Sequence, residues 1–228
     1  MYRSTMIAIS ASLFLAPGVA LADTPRELLT AAAFQAPTKP RALALVGQAI
    51  VASDKILASR PGDHEATLQR AIAIGYRGQL TRSRSDVKAS LGMFERLAQQ
   101  NPRDAEAQMV IAGWHLGAVD DLGSFLARTA LGAKTQAGEA ALTRAVQLGG
   151  ERAFYPGLAA MMQIRSDQKD VAQARRLAEA AATAPAPTAL DALMKRGATA
   201  MLPALRANDG KAAAALARKA LPFGKLLN

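Results

Sequence analysis

Residues 57–66 read LASRPGDHEA and residues 97–107 read LAQQNPRDAEA, so the chain writes nearly the same phrase twice. Pro61 is answered by Pro102, and Asp63, Glu65 and Ala66 are answered by Asp104, Glu106 and Ala107. A proline disfavours helical geometry at the residue before it and has no N–H to donate, so a helix arriving from the N-terminal side stops there. Each aspartate is then placed to cap a new helix through its free N–H groups, with the glutamate in the first turn, where the helix dipole favours negative charge. The third helical position is Ala in both copies, so neither forms a full capping box. The phrase predicts a joint at which one helix ends and the next begins.

Between the joints the apolar residues keep a helical period. Leu68, Ala71, Ile72, Gly75 and Tyr76 recur on one stripe of residues 64–79, and Val87, Leu91, Phe94, Leu97 and Ala98 do the same over residues 83–100. Both stripes predict amphipathic helices. The pattern restarts after Pro102 with Ala107, Val110, Ile111 and Trp114, and returns with Ala141, Leu142, Ala145 and Leu148 after residues 121–135, which read as an insertion holding an extra short helix. Further helices are expected over 151–166, 170–183, 188–206 and 209–221, and AAAFQAPTKP, residues 31–40, reads as a linker behind a short first helix. Composition agrees with an all-α fold: of 228 residues half are hydrophobic, enough for the core of one domain, while only 4% are aromatic.

Helix pairs that close on a proline and restart with Asp-x-Glu-Ala resemble tetratricopeptide repeats, which have a period of about 34 residues. The resemblance is carried by Phe94, Leu97 and Pro102, which fall where that family keeps an aromatic, a small or apolar residue and the closing proline, and by Ala112 in the first helix of the next pair. It covers residues 42–148 and weakens beyond them. His115 stands where the family usually has Tyr, and Pro61 and Pro102 lie further apart than one repeat. The resemblance implies stacked antiparallel helical hairpins forming a right-handed superhelix, an α-solenoid, over residues 42–228. A short helix and linker at 23–41 would precede it, and the helix at 209–221 would close its far end.

The first residues predict export. Arg3 supplies a positive start, Met6 to Ala16 an apolar run, Pro17-Gly18 a break, and Ala20-Leu21-Ala22 a small-residue cleavage signal. A signal peptide over 1–22, cleaved after Ala22, leaves Asp23 as the mature N-terminus. The apolar run is shorter than the roughly 20 residues a membrane span needs. With no Cys, the chain has neither a thiol for lipid attachment nor disulfides, and a bacterial periplasm is the expected compartment. Export also bears on the formal charge of +10. The excess lies at the C-terminal end, where residues 171–228 hold nine Lys and Arg against Glu179, Asp191 and Asp209. Nucleic acid is not the expected partner of an exported chain without aromatics interleaved for base stacking. An anionic envelope surface is, unless the basic region serves only solubility.

Motifs for catalysis are not found. The two histidines, His64 and His115, do not form a zinc-protease pattern, and the sequence has no thiol or Gly-x-Ser-x-Gly elbow. LGAKT at 131–135 lacks a phosphate loop's spacing, since Ala133 separates Gly132 from Lys134 and Ala127 occupies the first glycine position. Asp120-Asp121 reads as a helix end with solvated charges. No cofactor and no metal site is expected, and the protein is expected not to be an enzyme. Tyr76 and Trp114 each follow a glycine, Gly75 and Gly113, which fits close helix packing with a ring filling the gap. The alternative places these rings on an inner groove beside Arg77 and His115, making Tyr76, Arg77, Trp114 and His115 the candidate partner-binding residues.

Two functions follow. One is a periplasmic adaptor or scaffold that binds a protein or peptide partner of the cell envelope along its concave surface. The other is a small-molecule-binding component of a transport system. An open, long groove favours the first, and a closed one lined with aromatics favours the second.

Overall fold

The computed structural model describes residues 23–226, so the expected signal peptide and its cleavage site lie outside the described residues. Those residues form eleven α-helices and one π-helical turn, with no strand among them. The fold is all-α.

Both joints are built from the repeated phrase. α2 (Lys39–Ser59) stops before Pro61, and Asp63 caps α3 (His64–Thr81) by accepting from the Ala66 N–H at 2.8 Å. α4 (Arg84–Gln100) stops before Pro102, and Asp104 caps α5 (Ala105–Leu122) by accepting from the N–H groups of Glu106 and Ala107 at 2.9 and 3.0 Å. The insertion holds α6 (Ser124–Leu126), which runs directly into the π turn Ala127–Leu131. Gly132, in the left-handed region at φ 81°, ends it. Beyond lie α7 (Thr135–Leu148), α8 (Phe154–Ser166), α9 (Val171–Thr183), α10 (Ala189–Arg206) and α11 (Gly210–Ala220).

The segment 31–40 is not a single linker. Ala31 to Phe34 complete α1 (Pro25–Phe34), which a Thr24–Glu27 capping box starts. Lys39 and Pro40 already belong to α2, with Pro40 in the first turn, where a missing N–H leaves no hydrogen bond unmade. Only residues 35–38 connect the two helices. α2 is also long and apolar enough to cross a membrane by length and composition. One face of it, Ala42, Leu45, Val46 and Ala49, is buried in the core it shares with α1, and Asp54 on it pairs with Arg70 of α3 at 2.5 Å.

Most helices pack on their neighbours in the chain, α1 on α2, α2 on α3, α3 on α4, α4 on α5, α5 on α7, α8 on α9, α9 on α10 and α10 on α11, and α8 packs on α10 and α11 as well. The N-terminal ends of α1, α3 and α5 meet at one place. The Arg26 guanidinium in α1 reaches Glu65 of α3 at 2.7 and 2.8 Å, and Glu106 of α5 at 2.5 and 3.0 Å. Burial alone would lower the Arg26 pKa, but hydrogen bonds to the two carboxylates more than reverse this and raise it. A similar tie joins α8 to α10, where the fully buried Asp191 accepts from Arg152 at 3.1 and 3.2 Å and from the Phe154 N–H at 3.1 Å. Burial opposes the charge on Asp191, yet Arg152 and Thr188 hold its carboxyl below the ordinary value.

The chain's last described segment returns to its first helix. Phe223, fully buried, donates its N–H to the Ala33 carbonyl at 2.8 Å and sets its ring edge-on to Tyr76 at 4.8 Å. It belongs to the same core as Leu28, Val46 and Leu80. Burying a ring of this size contributes about 1.5–3 kcal/mol, enough to hold the end of the chain against α1.

Candidate functional site

The helices line a half-open cavity of about 870 Å³. Tyr76 of α3, Phe94 of α4, Trp114 of α5, Phe154 and Met162 of α8, and Phe223 of the returning segment line it. Its volume lies within the range of roughly 300–1,000 Å³ found for small-molecule sites, and charged side chains, among them Arg26, Arg82, Glu106, Asp120, Asp121 and Arg165, share the wall with the apolar ones.

The structure divides the four residues singled out by the sequence. Tyr76 and Trp114 lie together in the wall. Burial, with a smaller contribution from the Glu106 carboxylate, pushes the Tyr76 hydroxyl well above its ordinary pKa, so it stays a neutral phenol. The Trp114 indole N–H donates to the Val87 carbonyl at 2.7 Å, which the Ser90 hydroxyl also reaches at 2.8 Å. That bond fixes the ring and leaves its apolar surface to the cavity.

Arg77 and His115 lie elsewhere. Arg77 is exposed and pairs with Asp86 through two hydrogen bonds of 2.7 and 2.8 Å, which raise its pKa. His115 is buried beside a separate open groove walled by α4, α5 and α7. Its Nδ1 accepts from the Lys134 N–H at 3.4 Å, and burial, followed by the Lys134 charge, pushes its pKa down. Helical geometry explains the split: consecutive residues stand about 100° apart around the axis, so a narrow face that takes Tyr76 and Trp114 excludes the residue following each.

The two glycines also part company. A Cβ on Gly75 would meet Ser90 Oγ at 3.2 Å, so α3 and α4 do approach closely there. At Gly113 the nearest atom is Met162 Cε at 3.9 Å, an ordinary contact across the cavity wall. Gly117, one turn further along α5, also lines the cavity, and a Cβ there would meet nothing within 4 Å.

One wall residue went unnoticed in the sequence. Gln69 is 2% exposed, lines the cavity, and its amide nitrogen has no hydrogen-bond partner. A buried amide without a partner costs about 1–3 kcal/mol, so this position is a source of local strain in the wall. The signal was present: Gln69, Ile72 and Tyr76 follow one helical stripe, so a polar side chain interrupts an apolar face.

Asp120 and Asp121 are not simply solvated charges at a helix end. Arg165 of α8 holds both, with its Nε 3.3 Å from Asp120, and the Ser166 hydroxyl donates to Asp120 at 3.1 Å. Burial raises the Asp120 pKa despite the opposing effect of Arg165. Both aspartates and Arg165 border the cavity. Among the described residues no group of three or more His, Asp or Glu side chains is arranged to hold a metal ion.

Compared with protein-family models, with curated proteins and with solved structures, the chain matches none.

Proposed function

We propose that this protein is a non-catalytic, periplasmic, TPR-like helical-repeat protein that encloses a small amphipathic molecule, acting as a binding component of an envelope transport system. The cavity carries this reading: aromatic rings from several helices form the wall, and charged side chains at its border, Arg82, Asp120, Asp121 and Arg165 among them, supply polar contacts for an amphipathic ligand. The α-solenoid reading is supported by neighbour-on-neighbour packing from α1 to α7 and by the meeting of α1, α3 and α5 at Arg26. Export rests on Arg3, the apolar run and Ala20-Leu21-Ala22.

The adaptor reading asks for a long concave surface open to a peptide, and the returning segment with Phe223 takes up part of the inner wall. That reading keeps a different support. Arg175, Arg176, Arg196, Lys211 and Lys219 are exposed on the C-terminal helices, where an acidic protein partner or an anionic envelope surface would find complementary charge.

The test is a titration with N-phenyl-1-naphthylamine, an apolar fluorescent probe. Saturable binding to the mature protein is expected. Gly117→Leu grows a side chain into the open space and should weaken binding by about tenfold or more, without loss of thermal stability, because Leu also has the better helix propensity. Absence of saturable binding, or equal affinity in the variant, refutes the cavity reading.

A further inference from the structure

Among the described residues five large apolar side chains are exposed, and three of them are close neighbours: Leu122 at 44%, Phe125 at 76% and Leu126 at 55%. Single exposed apolar residues are ordinary, but a cluster marks a surface that meets something apolar. This cluster sits at the edge of the cavity. Leu122 borders it, and so do Ala130 and Leu131 at the other end of the same helical segment.

The charges that follow the cluster in the chain are basic. No carboxylate occurs between Asp121 and Glu139, a stretch that contains Arg128 and Lys134, both exposed. Arg84 reaches across from α4 and donates from Nε to the Ala130 carbonyl at 2.8 Å, which brings its cationic head against the segment. Arg82 is exposed and lines the cavity as well. The nearby carboxylates are already engaged, Asp120 and Asp121 with Arg165, and Asp86 with Arg77.

Exposed aromatic and aliphatic side chains ringed by arginines match an anionic lipid surface: the apolar groups enter the boundary between headgroups and acyl chains, and the cations meet the lipid phosphates. We propose that the segment Leu122–Leu131 is a bilayer-contact wedge beside the mouth of the cavity. An amphipathic ligand could then pass between bilayer and cavity without crossing open water. This last step rests on the cavity reading given above, whereas the wedge itself rests on exposure and charge.

Sedimentation of the mature protein with unilamellar vesicles tests it. Partition onto vesicles of phosphatidylglycerol and phosphatidylethanolamine is expected to exceed that onto phosphatidylcholine by about tenfold or more, as the basic rim requires. Replacing Phe125→Ser and Leu126→Ser together should lower partition onto the anionic vesicles by a similar factor, about tenfold. Both side chains are exposed, so helical circular dichroism and N-phenyl-1-naphthylamine binding should not change. Wild-type protein that stays in the supernatant, or a double variant that sediments as well as wild type, overturns the wedge. A double variant that keeps its vesicle partition but loses capture of an envelope protein also overturns it, making the cluster a protein-docking surface. Failure of the soluble probe to bind wild type refutes the cavity reading instead, since that arm contains no vesicles.

Discussion

His64 Nε2 lies 2.7 Å from Asp104 Oδ2, so the two copies of the repeated phrase touch each other. The same Asp104 also accepts from two backbone N–H groups at the start of α5. One side chain therefore caps a helix and ties that helix to the start of α3.

Replacing Asp104→Ala removes the cap and the tie together. The expected loss is about 1–2 kcal/mol, at the upper end for a helix cap, while Asp63→Ala should cost about 1 kcal/mol. Urea denaturation checks this through a lowered midpoint at constant slope. Equal, negligible effects at both positions would mean that neither joint depends on its aspartate.

Arg26 hydrogen-bonds both first-turn glutamates, Glu65 and Glu106, and the Glu106 side chain is only 17% exposed. Arg26→Met should destabilise by about 2 kcal/mol, less than the 3–5 kcal/mol typical of a fully buried pair, because the site is partly solvated. Adding Glu106→Gln to that variant should restore part of the loss by removing one of two carboxylates left without their cation. A double-mutant cycle reads the coupling directly, and a strictly additive result would deny the network.

His115 predicts a pH dependence. Its pKa is depressed by burial, so the unfolded chain binds the proton more readily than the folded one. The sign follows: this contribution is fully present above the ordinary histidine value of 6.5 and is lost as pH falls below it toward the lower folded value. Protonation would also remove the Nδ1 acceptor used by the Lys134 N–H. Thermal melts between neutral pH and the low end of the histidine range should show a falling midpoint in wild type and a flatter profile in His115→Gln. Parallel profiles would place the titration elsewhere.

Export gives the simplest measurement. Mature protein recovered from the periplasm of a Gram-negative host should have the intact mass of a chain beginning at Asp23. Full-length protein confined to the cytosol would remove both the compartment and the envelope-transport role from the proposal.

The sequence by itself determined the local structure. Prolines at 61 and 102, capping aspartates at 63 and 104, and apolar residues at helical spacing act within a turn or two of chain, so their consequences can be worked out without knowing what lies across the core. The helices of α3, α4, α5 and α7 follow from them. Tertiary structure decided what those helices enclose. Tyr76 and Trp114 were visible as rings behind glycines, but whether they filled a gap or faced a cavity depended on α8 and on Phe223, which lie much further along the chain. Likewise Glu65 and Glu106 looked like two independent first-turn charges until α1 brought Arg26 between them. Capping and periodicity are short-range and additive along the chain. A cavity or a shared counter-ion exists only where distant segments meet, and which segments meet is set by the packing of the whole core.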